Sequence, residues 1–146
     1  MSTPSIFNGT WTTLEKDATN MEGYLTNIGL GWAKRKIGKN LSRTITFDCQ
    51  DGKTMTIRNK TSVADRNHTI VLDTPIDGET EDGRQAKVTI KFDAEKNELT
   101  VSEEWDGPTS VQTWSLEDGV LHIRLECKGA KAHLTYSKQW KWTDSQ

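Results

Sequence analysis

The chain has 146 residues, a net charge of −2 and 33% hydrophobic residues. This length fits one domain, and because no Pro-rich or low-complexity stretch marks a linker, we expect a single domain over residues 1–146. Its apolar runs are only a few residues long, which excludes a membrane-spanning helix of about 18 or more apolar residues. Two cysteines, Cys49 and Cys127, are too few for a disulfide scaffold. We expect these two cysteines to be buried thiols. Because the sequence does not start with a basic segment followed by an apolar one, as a secretory signal does, it predicts a soluble cytoplasmic protein.

Two short helices are predicted near the N-terminus. Asn20 can cap a helix whose apolar residues recur with the helical period, at Met21, Tyr24, Leu25 and Ile28. Gly29 or Gly31 can end that helix. A second helix is predicted from about Gly31 to Lys39, with the apolar members Trp32, Ala33 and Ile37. One helix-turn-helix therefore interrupts a chain that is otherwise predicted to be β.

From residue 43 onward, short strands alternate with turn signals. The predicted hairpin turns are Asp51-Gly52, Asp77-Gly78, Asp82-Gly83, Asp106-Gly107-Pro108, Glu117-Asp118-Gly119 and Lys128-Gly129, since such pairs tolerate the positive φ of tight turns. Apolar and polar residues alternate between them, as at Leu121, Ile123 and Leu125 against His122, Arg124 and Glu126. Nine or ten strands fit the length, which predicts an all-β meander, sandwich or barrel. The low apolar share favours a barrel around a partly polar cavity.

Several separate motifs, in register along nearly the whole chain, carry a resemblance. They are Phe7-Asn8-Gly9-Thr10-Trp11, Tyr24-Leu25, the run from Ile28 to Ile37, Asp82-Gly83-Arg84, Trp105-Asp106-Gly107, and Tyr136 in the last strand. Together they resemble the intracellular lipid-binding family of fatty acid-binding proteins, in the calycin superfamily. The resemblance implies a flattened ten-stranded antiparallel up-and-down barrel, with a helix-turn-helix lid at about residues 20–40 between the first two strands. Residues 141–146 run past the usual end of the family as an extra C-terminal tail.

The resemblance also implies a ligand site inside the barrel. Family members that hold a fatty acid grip its carboxylate with two arginines and a tyrosine, and their last strand reads Arg-X-Tyr. Here that strand reads Leu134-Thr135-Tyr136, and the other arginine position is Trp114, so both cationic anchors are replaced. By strand parity, the residues expected to face the ligand are Gln112, Trp114, Leu116, Ile123, Leu125, Leu134 and Tyr136, with Arg84 and Glu103 on neighbouring strands.

These replacements leave two kinds of ligand open. We expect a carrier that reversibly binds a long-chain fatty acid, which Arg84 and Tyr136 would anchor, and that exchanges it with membranes. Because an unpaired carboxylate in a poorly solvated cavity costs several kcal/mol, a retinoid or another neutral lipid is the alternative. Arg84 has a second interpretation, as the partner of Asp82 in a turn. An inward-facing Glu103 requires a partner, such as Arg84 or ordered water.

The helical lid predicts a portal and a membrane contact. Candidates for the portal rim are Met21, Leu25, Trp32 and Val63, and ordinary packing of the lid on the barrel is the alternative. Lys34, Arg35, Lys36, Lys39 and Arg43 lie in a stretch without acidic residues. On the lid, these cations would attract anionic phospholipids by about 1 kcal/mol for each charge near the surface. A merely solvated helix face is the other interpretation.

Other classes of function find less support. His68, His122 and His133 are interpreted as scattered, and because no nucleophile motif or metal-ligand spacing occurs, we expect no enzyme activity, no metal and no cofactor. The segment 73–106 has 11 acidic and four basic residues, which disfavours nucleic acid. A protein-interaction domain would require Trp32, Trp140 and Trp142 to form an exposed patch. We expect a monomer whose partner is a small hydrophobic ligand.

Overall fold

The computed structural model describes residues 3–13, 20–28, 43–61, 65–79, 85–105 and 109–139. A short 3₁₀-helix, Pro4–Phe7, leads into the first strand, and one α-helix, α1, follows that strand at Met21–Asn27. The ten strands are β1 Gly9–Thr13, β2 Arg43–Cys49, β3 Thr54–Lys60, β4 Asp65–Val71, β5 Ile76–Glu79, β6 Gln85–Asp93, β7 Glu98–Glu104, β8 Thr109–Glu117, β9 Val120–Cys127 and β10 Ala130–Gln139.

All ten strands belong to one antiparallel sheet, in the order β4-β3-β2-β1-β10-β9-β8-β7-β6-β5. Most neighbours are consecutive in the chain, and the last strand returns to the first, with Thr10 opposite Gln139. The sheet thereby curls into a nearly closed up-and-down barrel with α1 between the first two strands, which confirms the predicted fold class. The two ends of the order are β4 and β5, which share no backbone ladder within the described residues.

Tight turns join the last strands, as predicted. Asp118-Gly119 has φ values of 53° and 78°, and Lys128-Gly129 has 50° and 83°. Two successive residues with positive φ give the primed turn whose twist matches that of the flanking strands. The register of β8, β9 and β10 is therefore fixed by two short, well-defined turns.

The prediction of a hairpin turn at Asp77-Gly78 is wrong, because this pair lies inside β5. The chain reverses earlier, where Asp73 has a φ of 66° and the Thr74 N–H donates to the Val71 carbonyl at 3.2 Å. Aspartate tolerates the left-handed conformation through its short polar side chain. The turns predicted at Asp82-Gly83 and Asp106-Gly107 lie outside the described residues.

Side chains at both ends of α1 tie the helix to β9 and β10. Asn20 occupies the N-cap position, as predicted, but it is left-handed and its side chain makes no capping hydrogen bond. Its Nδ2 donates to the Lys131 carbonyl at 2.5 Å instead. Asn27 Nδ2 donates to the Cys127 carbonyl at 3.0 Å. No described helix is long and apolar enough to cross a membrane. The second predicted helix, about residues 31–39, lies outside the described residues, as do Gly29 and Gly31.

The closed end of the barrel is filled by four aromatic rings, which we call the aromatic floor: Phe7, Phe47, Phe92 and Trp114. The Phe7 and Phe47 ring centroids are 5.7 Å apart, and those of Phe47 and Trp114 are 5.6 Å apart with an edge-to-face tilt of 70°. Such tilted pairs add to the free energy of area burial. The 3₁₀-helix and strands from both halves of the sheet thus meet in one apolar layer.

The prediction of two buried thiols is confirmed. Cys49 and Cys127 are buried free thiols. Trp11 is buried, and its indole N–H donates to the Phe7 carbonyl at 2.9 Å. Gly9 has a φ of 125°, a backbone conformation that residues with side chains rarely adopt, and a Cβ there would lie 2.8 Å from Cε of the flexible Lys138 side chain.

Candidate ligand-binding interior

The residues predicted to face the ligand share the inner face of the barrel wall. On β8 and β9, Gln112 lies opposite Leu125, Trp114 opposite Ile123 and Leu116 opposite Leu121. On β10, Leu134 lies opposite Ile123, and Tyr136 opposite Leu121. Residues directly opposite each other point to the same side of a sheet. Strand parity alone therefore placed these side chains on the same face, whereas Arg84 lies outside the described residues.

The two positions at which the resemblance leads one to expect arginine are apolar and buried. Leu134 is 3% exposed and Trp114 is 6% exposed, and both flank Ile123 in one row across β8, β9 and β10. Tyr136 is 1% exposed, one step nearer the closed end. A cation at either position would have only apolar cross-strand neighbours, so its burial there would be unfavourable. This part of the inner wall therefore favours uncharged groups.

A directional hydrogen-bond chain, the interior chain, leads from this row toward the lid. The Trp114 indole N–H donates to Gln112 Oε1 at 2.9 Å, and Gln112 Nε2 donates to Glu103 Oε1 at 2.5 Å. Indole is a donor only, so it fixes the orientation of the Gln112 amide and turns the amide nitrogen toward the carboxyl group. Glu103 thus has Gln112 as a partner, which sequence reasoning did not foresee.

A second polar contact joins the same wall to the lid helix. The Tyr24 hydroxyl and Ser110 Oγ are 2.5 Å apart and buried, and Ser110 lies directly opposite Glu103. Sequence reasoning treated Tyr24 as an apolar helix residue and did not single out Ser110. The available signal was the phenol itself, because a buried tyrosine hydroxyl ordinarily requires a partner.

The predicted portal residues are only partly described. Met21 and Leu25 belong to α1, and their side chains are buried in the hydrophobic core. They therefore pack against other core residues, and their role at a portal stays a prediction. Arg43, grouped above with the basic segment, is 6% exposed and follows the buried parity of β2; its inclusion in a surface patch is wrong. Outside the described residues lie Trp32, Val63, Lys34, Arg35, Lys36, Lys39, Trp140 and Trp142.

Two of the histidines interpreted as scattered are in contact on the outer wall. His122 Nδ1 and His133 Nε2 are 2.9 Å apart, His122 Nε2 lies 3.3 Å from Glu117 Oε2, and Arg124 donates to the same carboxylate at 3.4 Å. The interpretation failed because diagonal neighbours on β9 and β10 are 11 residues apart in sequence. Among the described residues, no three His, Cys, Asp or Glu side chains are placed to hold a metal ion.

This outer cluster makes stability depend on pH. Burial lowers the pKa of His133 below its usual 6.5, and the charges of Arg124 and His122 lower it further, against the opposing effect of Glu117. The unfolded chain therefore binds a proton more readily, so this contribution is fully present above pH 6.5 and is lost as the pH falls toward the folded-state pKa.

We expect His133→Asn to flatten the acid-side decline in the free energy of unfolding between about pH 7 and pH 5, as measured by urea denaturation across that range. Arg124→Gln should flatten it less, because burial is the larger cause of the shift. An unchanged slope in His133→Asn would show that other groups set the decline.

Comparison with known proteins gives consistent matches, although no family model matches the chain. A muscle fatty acid-binding protein of Schistocerca gregaria is 36% identical over 108 residues, which is 73% of this chain and 80% of that protein. Human fatty acid-binding protein 5 is 27% identical over 138 residues, covering 94% and 98% of the two chains.

Solved structures agree in fold. A Schistosoma mansoni fatty acid binding protein in complex with arachidonic acid superposes with a TM-score of 0.87 at 23% identity. The superposition covers 95% of this chain and 100% of that one. A fatty acid-binding protein from brain tissue of Drosophila melanogaster gives a TM-score of 0.78 at 26% identity, with 90% and 98% covered. Since the insect muscle protein is this similar over most of its length, the chain belongs to the fatty acid-binding protein family.

Proposed function

We propose that the protein is an intracellular lipid carrier that reversibly binds one long-chain fatty acid or similar hydrophobic ligand in its barrel. The supporting observation is a set of inner-face side chains that stay partly exposed although the wall curls around them. Val88, Glu103 and Gln112 belong to this set. Partial exposure on the inner face is expected where a wall encloses a space that water or a ligand can enter.

In this proposal, the ligand chain lies against the apolar inner wall. Burial of the chain at about 25 cal/mol for each Å² supplies most of the affinity. The proposed chain contacts are Trp114, Leu116, Ile123, Leu125 and Leu134. Gln112, Tyr136 and Arg84 would orient the head group.

A neutral lipid, such as a retinoid, is the second candidate. One observation that favours it is that buried Leu134 and Trp114 stand where the resemblance leads one to expect arginine. The other is that the Trp114 indole N–H is already donated to Gln112 and is not free to bind a carboxylate. A fatty acid carboxylate beside Leu134 and Trp114 would have no cation among the described residues directly opposite these two on β7 and β9 and would be destabilised.

Exchange of ligand would take place at the lid end. We propose Met21, Leu25, Trp32 and Val63 as the portal rim, and Lys34, Arg35, Lys36 and Lys39 as a transient contact for anionic membranes. The carrier would act as a cytoplasmic monomer without catalysis, since its task is reversible, non-covalent binding.

The test begins with lipids that co-purify with the protein, extracted with organic solvent and identified by mass spectrometry. Oleate and retinol are then titrated while tryptophan fluorescence is followed, and we expect saturation at one ligand per chain. Trp114→Phe should remove more of the response than Trp11→Phe, since Trp114 is a proposed ligand contact, whereas the buried Trp11 donates its indole N–H to the Phe7 carbonyl and is not one. If neither ligand binds and no lipid co-purifies, the carrier hypothesis is wrong.

A further inference from the structure

The side of the barrel formed by β2, β3 and β4 carries polar residues on its inner face. On β4, Ile70 lies opposite Met55, and Arg66 lies opposite Asn59. Ile70 and Met55 are buried in the core, and side chains four residues apart on a strand project from the same face. Arg66 and Asn59 therefore belong to the inner wall.

Arg43 adds a second guanidinium to the same part of the wall. It is 6% exposed and precedes Ile45 and Phe47 on the buried parity of β2. Ile45 lies opposite Asn59, so Arg43 and Asn59 are diagonal neighbours, about 7–8 Å apart and within reach of long side chains. We call Arg43, Asn59 and Arg66 the cationic wall.

The cationic wall lies toward the lid and away from the aromatic floor. Phe47 of the floor lies opposite Ile57, whereas Asn59 is one inward-facing position farther along β3. Arg43 lies opposite Thr13, the last residue of β1, from which the chain continues to α1. A group bound to the cationic wall would therefore lie in the lid half of the interior.

The cationic wall includes a buried donor that points to a ligand with acceptor oxygens. Arg66 Nε is shielded from water, and no acceptor among the described residues lies within hydrogen-bond distance of this atom. Both arginines also interact with other groups, but a guanidinium has five N–H donors, and a carboxylate that pairs with it uses two of them. Its rigid fork matches a carboxylate, which it binds through two parallel hydrogen bonds.

The charges of the inner wall favour an anion at this place. Among the described strand residues with inner parity, the cations are Arg43, Arg66 and Lys138, and Glu103 is the only acid. Lys138 Nζ lies over the Trp11 ring, 5.8 Å from its centroid. Glu103 lies on β7, where it belongs to the interior chain and interacts with a further group. A carboxylate at the cationic wall would thus lie beside two cations, with the acid on a strand beyond the gap between β4 and β5.

We propose that the ligand is a long-chain fatty acid whose carboxylate binds to Arg66 and Arg43 of the cationic wall, while its chain extends toward the aromatic floor. This inference depends on the proposed carrier function and specifies the ligand class and its orientation in the same interior. It favours a fatty acid over a neutral lipid and moves the head group away from Tyr136. Leu134 and Trp114 then contact the apolar chain, so the lack of arginine at these two positions does not prevent binding.

The first test compares oleate with oleyl alcohol, which has the same chain without the charge. Each radiolabelled lipid is equilibrated at neutral pH between the protein and phosphatidylcholine vesicles, and the protein-bound label is counted after the vesicles are sedimented. Partition into vesicles alone is measured for each lipid and removed from the comparison. We expect oleate to bind about tenfold or more tightly than the alcohol, because hydrogen bonds between charged groups are the stronger class.

Substitutions then test the contact itself. Arg66→Gln should weaken oleate binding about tenfold and change the binding of oleyl alcohol less than about threefold. Arg66→Lys keeps the charge but loses the planar fork, so its affinity for oleate should lie between the two. The matched control is Arg58→Gln on β3, whose guanidinium pairs with Asp65 on the outer wall at 2.6 Å and which should change neither affinity. Urea denaturation checks that each variant folds.

A second test addresses orientation and leaves the cationic wall unaltered. Stearates with two bromine atoms, placed either near the methyl end or near the carboxyl end, quench tryptophan fluorescence at short range. The Trp114 part of the quenching is the difference between the protein and its Trp114→Phe variant. We expect the label near the methyl end to quench Trp114 more strongly, because Trp114 belongs to the aromatic floor.

The outcomes separate the two hypotheses. If the alcohol binds as tightly as oleate, or if Arg66→Gln weakens oleate binding no more than Arg58→Gln does, the inference is overturned and the carrier function stands. Stronger quenching by the label near the carboxyl end overturns it as well. If Arg66→Gln does not fold, the affinity comparison and the quenching in the unaltered protein decide. If neither lipid binds, the carrier function fails, and the inference fails with it.

Discussion

Replacing Phe47 with alanine should lower the free energy of unfolding by about 3–5 kcal/mol. Phe47 is 2% exposed, and its ring lies between those of Phe7 and Trp114. Its loss removes apolar burial and leaves a cavity that the two neighbouring rings, on the 3₁₀-helix and on β8, cannot easily fill. Urea denaturation followed by circular dichroism measures the change.

The matched control for Phe47→Ala is Val111→Thr on the outer wall of β8, where Val111 is 39% exposed. This control keeps a β-branched side chain in the strand and should change the free energy of unfolding by no more than about 0.5 kcal/mol. Equal effects of the two substitutions would contradict the role of the aromatic floor in stability.

Replacing Leu134 with arginine should destabilise the ligand-free protein by about 3–5 kcal/mol, because it leaves a buried charge without a partner. Leu134 is 3% exposed and lies opposite Ile123. The same substitution restores the cation that the family resemblance associates with carboxylate binding. Oleate should therefore raise the melting temperature of this variant more than oleyl alcohol does, since a ligand that binds only the folded state stabilises it.

Leu134→Met is the control for the arginine variant, because it preserves an apolar side chain of similar volume. Thermal denaturation of both variants is compared at equal concentrations of each lipid. If oleate and oleyl alcohol shift the melting temperature of Leu134→Arg equally, the position does not contact a head group, and the family's anchoring geometry does not apply to this barrel.

The strands were the most predictable part of the fold. The alternation from Leu121 to Glu126 has only one interpretation, and the Lys128-Gly129 turn fixes where β9 ends. The reversal at Asp73 was missed because aspartate adopts positive φ only when its surroundings require it. Asp77-Gly78 was mistaken for a turn, since the pair reads the same whether it bends or continues a strand.

The sequence predicted which side chains face the binding interior, but it did not predict the hydrogen bonds between them. Parity places Gln112 and Trp114 on one side of β8, because side chains alternate with a period of two. The bond from Gln112 to Glu103 depends in addition on the register between β7 and β8, which the predicted Asp106-Gly107-Pro108 turn does not fix, because that motif leaves the length of the loop open. The contact between His122 and His133 could have been predicted from the sequence. The Lys128-Gly129 turn sets Cys127 opposite Ala130, and the pairing that continues from there along β9 and β10 makes the two histidines diagonal neighbours.

The gap in the sheet between β4 and β5 bears on the width of the barrel. At this gap, the connecting segment is fastened at its turn, where the Leu72 N–H donates to the Lys53 carbonyl and the Asp73 N–H to the Ile90 carbonyl, both at 2.8 Å. Beyond that point the circumference is not a complete ring of backbone hydrogen bonds within the described residues. A closed ladder of backbone hydrogen bonds fixes the circumference of a barrel. An interrupted ladder can widen at the gap without breaking a hydrogen bond. We therefore expect the cross-section to adjust to chains of different thickness at this side of the wall.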